Sequence, residues 1–323
     1  MDALPDIDYA AHPAYGAMAA GDPAQHEQAV ASVAQLLQSK LDTLRESEAV
    51  FRGRAASSPD PVVGELALHG AAGVRLERDL LDRLRQAVSP IAGVLQGRLR
   101  ERVAAGLPLR YRDVEADICL VGPEAAAGPG SMLEQLISAT GVLDIARAYY
   151  PGSRAKLHGA CVRRNLEAGL FHAAREEVRS RTSGMHIDTS GRPTFNGVIY
   201  LNEVGPDQGP FSYVAGSNRW RWDLEDRAMR KAIGEARFPT AADELFMHLP
   251  AEMRRKANFG HDVLDGSAAS HAMLAGERVF CSDSCDMALF DSEGVHRGGD
   301  VRSGHRLSVL FIVKISPGAS AHG

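Results

Sequence analysis

Apolar residues recur at two different periods along this chain, and the change of period divides it near the middle. In the first half the spacing is helical. Val30, Val33, Leu37, Leu41 and Leu44 stand three or four residues apart and form one stripe. Asp22, Pro23 and Gln25 ahead of them supply an N-cap, a proline suited to the first helical turn and a capping-box partner. Residues 57–61, Ser-Ser-Pro-Asp-Pro, read as a connector ending that element. Gly73 to Leu76 reads as a short strand. Leu80, Leu81, Leu84, Val88, Ile91, Leu95 and Leu99 then mark a helix expected to kink at Pro90. Another helix is expected from Ser131, with Glu134 as its capping partner, through Ile137.

After about residue 156 the apolar runs shorten and become β-like: 197–201, 211–214, 278–280, 287–290 and 307–315, bounded by Gly, Pro and Asp. They predict an α+β protein with a sandwich or jelly-roll core and helices packed outside. Residues 223–277 interrupt the strands with polar, helical sequence (224–236, 241–249, 251–257), an insertion where a substrate lid is expected. The division is therefore an irregular and helical N-terminal extension, 1–62, and one main domain, 63–323, with the insertion 223–277 inside it. The extension is expected either to cap the site or to join two copies of the chain through its helix.

Composition narrows the classes of function. Apolar residues make up 45% of the 323 and charged residues 24%, enough to bury a large core and too apolar for wholesale disorder. The net charge of −5 leaves no overall positive field, so a nucleic-acid partner is not expected. No run of eighteen apolar residues occurs and the acidic start lacks a basic leader, so a cytoplasmic protein without a membrane partner is expected. Cys119, Cys161, Cys281 and Cys285 lack CxxC spacing, and Cys281 and Cys285 read as two reduced, small apolar residues.

The chemistry concentrates in three places. In His186-Ile187-Asp188 the two polar side chains share one face of an extended segment and can converge on one metal ion. With 12 histidines, about one His-x-Asp is expected by chance, so the pair needs company. His296 follows the apolar run ending at Phe290 and precedes Gly298-Gly299, where the backbone can approach closely. As a third ligand it completes a two-histidine, one-carboxylate face, which on ferrous iron leaves positions for a bidentate co-substrate and dioxygen. Ten residues on, Arg306 and Ser308 share one strand face beside Leu307, Val309, Leu310 and Phe311. An arginine in so apolar a run needs a buried anion, for which the distal carboxylate of 2-oxoglutarate is the candidate.

These residues resemble the phytanoyl-CoA dioxygenase-like family of iron(II)- and 2-oxoglutarate-dependent oxygenases. The resemblance rests on His186-Ile187-Asp188, on residues 209–220 (Gly-Pro-Phe-Ser-Tyr-Val-Ala-Gly-Ser-Asn-Arg-Trp), on Phe290-Asp291 through His296-Arg297-Gly298-Gly299, and on Arg306. The 209–220 segment departs from the family pattern at Ala215, where proline is usual, and at Asn218, where histidine is usual. The resemblance spans roughly 65–315. It implies a double-stranded β-helix (jelly-roll, cupin-like) core, iron on His186, Asp188 and His296, and 2-oxoglutarate on Arg306 with Ser308 as helper. It also implies oxidative decarboxylation of the co-substrate to succinate and CO2 with O2, and oxidation of a substrate C–H bond. Asp188 separates the chain from related halogenases, which have Gly or Ala there.

Two readings stay open. One is an oxygenase acting on a small or carrier-linked metabolite by hydroxylation, desaturation or cyclisation. The other is a non-catalytic jelly-roll binding protein that retains the metal site. For the substrate, the candidates are Arg179 and Arg181, in a basic stretch that would receive an anionic group, together with Asn202 at a strand end and Trp220 as a wall. Arg163 and Arg164 read as part of a basic cluster.

Overall fold

The computed structural model describes residues 23–107, 115–119, 129–166, 185–220, 223–236, 249–250 and 268–318. Helix α1 (Pro23–Arg52) buries Ala29, Val33, Leu44, Val50 and Phe51, with Leu37 and Leu41 packed beside them, so the expected stripe holds except at Val30, which faces solvent. Asp22 lies outside the described residues. Residues 57–61 do not merely connect. Asp60 Oδ1 accepts hydrogen bonds from the amides of Val62 and Val63 at 2.9 Å each, and with Pro61 it starts α2 (Pro61–His69). Gly70, at φ 82°, ends that helix and turns the chain into β1 (Ala71–Val74). Helix α3 (Arg78–Ala104) runs through Pro90, and α4 (Pro129–Ser138) and α5 (Val142–Tyr149) follow.

The strands are β2 (Glu115–Cys119), β3 (Ser153–Leu166), β4 (Thr194–Tyr200), β5 (Phe211–Val214), β6 (Glu277–Phe280), β7 (Met287–Asp291), β8 (His296–Gly298) and β9 (His305–Pro317). They form a six-stranded sheet in the order β1-β7-β4-β9-β3-β2 and a three-stranded sheet β6-β5-β8, with every strand pair antiparallel. Period-two alternation gives the large sheet two different faces. Val309, Phe311 and Val313 of β9, with Phe195 and Ile199 of β4, pack on Leu84, Val88, Ile137 and Tyr149 of the helices. Gly197 faces Phe311 in this layer, and a Cβ there would overlap its ring. Ala71, Tyr200, Ala288 and Phe290 on the opposite face meet Phe211, Tyr213 and Phe280 of the small sheet. The result is helices on one side, the large sheet in the middle and the small sheet on the other side.

The insertion contributes α6 (Leu224–Ala236) and α7 (Ala268–Leu274); the helices expected at 241–249 and 251–257 fall almost wholly outside the described residues. Helix α6 lies along α1. Ala232 and Ile233 meet Ala29 and Val33, Ala228 meets Leu44 and Phe51, and Lys40 pairs with Glu235. The apolar stripe of the N-terminal helix is thus covered by the same chain's insertion. No helix among the described residues is long and apolar enough to cross a membrane. Cys281 and Cys285 are unbridged, and burial pushes the Cys285 thiol up to about 11.

Candidate metal centre

His186 and His296 form an antiparallel bridge in which each amide donates to the other's carbonyl at 2.9 Å. Residues paired in this way project their side chains to the same side, and the two imidazole centroids are 4.3 Å apart. Asp188 lies two residues on, its amide donating to the Ser292 carbonyl at 3.3 Å, so its carboxylate returns to the same face. Asp188 Oδ1 is 4.0 Å from His186 Nε2 and 3.7 Å from His296 Nε2. One ligand atom from each residue lies within 4.8 Å of the other two. With metal–ligand bonds of about 2.1 Å, adjacent ligands stand about 3 Å apart, so this donor set holds an ion once its side chains close by roughly 1 Å or more. Both histidines are buried and Asp188 is half-exposed, which leaves an open side.

Two of the ligands, His296 and Asp188, are held by described neighbours. His296 Nδ1 is 2.9 Å from the Gly294 carbonyl, which only accepts, so the proton sits on Nδ1 and the Nε2 lone pair faces the site. The ring lies among Phe290, Phe211 and Tyr213, with centroids at 4.7, 6.0 and 6.4 Å. Asn196 Nδ2 donates to Asp188 Oδ2 at 2.9 Å, leaving Oδ1 for the ion. Lys231 of α6, itself buried, donates to the Asp188 carbonyl at 2.8 Å and to Glu293 Oε1 at 2.7 Å. Burial alone would raise the Glu293 carboxyl, but Lys231 and Arg227 outweigh it and hold the group below its ordinary value.

The turn from Asp291 to His296 is fixed at both ends. Asp291, fully buried, lies 2.6 Å from Arg54 Nε and accepts from the Tyr149 hydroxyl at 3.1 Å, from Asn218 at 3.3 Å and from the Glu293 amide at 3.0 Å. Burial, followed by the charge of Asp291, pushes the Tyr149 phenol well above its ordinary value. Ser217 Oγ accepts from the Val295 amide at 2.7 Å. A Cβ on Gly294 would overlap the Tyr213 hydroxyl, so this turn needs glycine there. Asn218 is therefore a polar tie between Tyr149 and Asp291.

Arg306 is buried beside Gly299, three residues past His296, and donates to its carbonyl at 3.2 Å. That close approach suits Gly298-Gly299, and the Gly299 amide in turn donates to Pro210 O at 3.1 Å. No carboxylate of the described residues lies within 4.0 Å of the Arg306 guanidinium. Burial chiefly, with Arg163 adding, pushes it down to about 10, against the opposing effects of Tyr200 and Asp300. Ser308, also buried, sits on the same face, and in the strand register it stands between Arg163 of β3 and Tyr200 of β4. Arg163 is therefore a strand residue beside Ser308.

Asn202 is occupied by backbone: its Nδ2 donates to the Glu203 and His305 carbonyls at 2.9 Å each, and its Oδ1 accepts from the Leu307 amide at 2.6 Å. Trp220 packs beside Ile187 and Met185 and lines a cavity next to the metal-bearing segments. Arg179 and Arg181 lie outside the described residues.

No protein-family model matches the chain, and no curated protein does. Among solved structures it is similar to AviO1 from Streptomyces viridochromogenes Tue57 (14% identity, TM-score 0.42, 80% of this chain and 96% of that one). It is also similar to SnoK, a non-heme alpha ketoglutarate dependent carbocyclase from nogalamycin biosynthesis (13%, 0.46, 83% and 90%). A third is EctD from S. alaskensis with bound Fe (14%, 0.47, 80% and 77%). Likeness at this level does not reach beyond the general fold.

Proposed function

We propose that the chain is an Fe(II)- and 2-oxoglutarate-dependent oxygenase of the phytanoyl-CoA dioxygenase-like kind, hydroxylating an aliphatic C–H bond of a small or carrier-linked metabolite. In this reading residues 63–323 form a double-stranded β-helix domain with the insertion 223–277, and 1–62 an extension to it. The observation that carries the proposal is the convergence of His186 Nε2, Asp188 Oδ1 and His296 Nε2 on one face. The donor set fits the ion: two neutral imidazoles and one carboxylate, without thiolate, suit ferrous iron with adjacent open positions better than a closed zinc site. Arg306 fits the co-substrate, being a buried guanidinium with no carboxylate partner among the described residues.

His186, Asp188 and His296 would hold the iron, which, when bound with 2-oxoglutarate and O2, supplies oxidation of an unreactive C–H bond coupled to release of succinate and CO2. The protein's own part is orientation. Gly294 keeps the proton on His296 Nδ1, and Asn196 holds one carboxylate oxygen of Asp188 so that the other faces the ion. Arg306 and Ser308 supply a fork of N–H donors and a hydroxyl for the distal carboxylate, in a pocket where burial strengthens each bond.

Anaerobic titration of the metal-free protein with Fe(II) and 2-oxoglutarate tests the reading. The expected result is a visible metal-to-ligand charge-transfer band that His186→Ala abolishes and that Arg306→Ala shifts to about tenfold or more higher 2-oxoglutarate concentration. Absence of the band, or a band indifferent to both substitutions, would overturn it.

A further inference from the structure

A cavity of about 640 Å3 opens between the end of α1, helix α6 and the 217–220 turn. None of the three metal-site residues lines it, but Ile187, between His186 and Asp188, and Glu293, three residues before His296, both do. The cavity thus abuts the metal-bearing segments without including their ligands, and its volume falls within the roughly 300–1,000 Å3 usual for small-molecule sites.

Its charge is unbalanced. Arg52, Arg54, Arg219, Arg227, Arg230 and Lys231 line it, against Glu48 and Glu293 as the acids among the described residues. Two more acids stand behind the wall, Asp291 on Arg54 and Asp226 on Arg230. Among the described residues, six cations against these four acids leave two positive charges. The acids are shared: Glu293 serves both Arg227 and Lys231, and Glu48 serves both Arg52 and Arg227. Arg219 donates to the Ala55 carbonyl at 3.1 Å and has no carboxylate among the described residues within 4.0 Å. Charge in a concave, partly dry site is screened less than on an open surface, so the excess favours an anion from solution. The guanidinium forks suit oxyanions. Phe51 holds Arg54 and Arg227 over its ring at 4.9 and 4.8 Å, which orders both before any ligand arrives, and Trp220 adds a second aromatic wall.

We propose that this cavity binds a small organic dianion, a phosphate monoester or a dicarboxylate, whose charges are met by Arg219, Arg227 and Arg230 and whose body lies against Trp220. Lys231 joins the cavity wall to the Asp188 carbonyl, so occupancy is felt by the segment that carries the metal ligands. The proposal does not depend on which metal or reaction that segment serves.

Trp220 and Trp222 are the chain's two tryptophans, so Trp222→Phe leaves one indole, in the cavity wall, as the reporter. The metal-free Trp222→Phe protein is titrated at fixed ionic strength with glycerol 3-phosphate, with glutarate, and with glycerol as the neutral control. The expected result is a saturable change in Trp220 emission with at least one dianion and none with glycerol. Arg219→Gln and Arg230→Gln should each raise the Kd about tenfold. The dianion that saturates identifies the carrier of the charge. A response to neither dianion, or a Kd that Arg219→Gln leaves within twofold, would sink the proposal. Arg219 is exposed and its described bond is to backbone, so that variant is expected to keep its thermal unfolding profile and to serve even if Arg230→Gln does not fold. Iron and 2-oxoglutarate are absent from the assay, so its failure and failure of the oxygenase reading are separate results.

Discussion

Asn196 shows how much of the metal centre depends on a residue that would touch no metal. It is buried on β4, and its amide is the donor that holds Asp188 Oδ2. Asn196→Ala should leave the sheet folded at a cost of about 1 kcal/mol for the lost hydrogen bond, yet free the carboxylate to turn away. The expected consequence is about a 10–100-fold loss of Fe(II) affinity, measured by competition with a chromophoric chelator. An affinity within twofold of the parent would show that Asp188 is aimed by other means. His186, Asp188 and His296 could be picked out beforehand because two share a same-face spacing and the third follows an apolar strand. Arg306 stood out as a charge in an apolar run. Asn196, within Thr-Phe-Asn-Gly, carried no such contrast, since period two does not tell which face of a strand meets a ligand. Lys231 looked like any lysine of a polar helix, because its burial comes from chain 40 or more residues away in sequence.

At the scale of elements, α6 is tied to the site through ion pairs rather than apolar packing. Its Arg227 and Lys231 both reach Glu293, on the turn that leads to His296. The folded-state pKa of Glu293 is depressed, so its stabilising contribution is complete above the unfolded value near 4.5 and is lost as pH falls through the lower folded value. At pH 7 Glu293→Gln should therefore cost up to about 3–5 kcal/mol, because Lys231 and Arg227 lose a buried partner. The gap between parent and variant in urea unfolding should narrow as the pH is lowered from 5 toward 3. A gap constant with pH would mean that the carboxylate charge does not hold α6 in place. Both α1 and α6 were legible from helical periodicity, but their pairing was not: an apolar stripe requires a cover without naming it. Strand β3 is not legible because Lys156, His158, Arg164 and Asn165 break up its apolar pattern, and β8 because three residues cannot display a period.

At the scale of the molecule, the candidate ligands come from two segments 108 positions apart, with strands β4 to β7 and the insertion between them. The unfolded chain has no reason to bring them together, so an ion that binds all three binds the folded state alone. Linkage then makes metal a stabiliser: at a free concentration 100 times its Kd it adds about 2.7 kcal/mol, a rise of several degrees in Tm. Under anaerobic conditions thermal unfolding should shift upward with Fe(II) in proportion to the logarithm of its concentration, and a chelator should reverse the shift. Asp188→Ala should abolish the response. His158→Ala, a change in an exposed histidine of β3 with no part in the cluster, should leave it intact and so exclude adventitious imidazole binding. Because the two segments bracket the insertion, hydrogen exchange should slow on metal addition along 185–188 and 291–298 and, through Lys231 and Glu293, in α6 as well. Protection confined to the two ligand segments would show instead that the insertion moves independently of the metal centre.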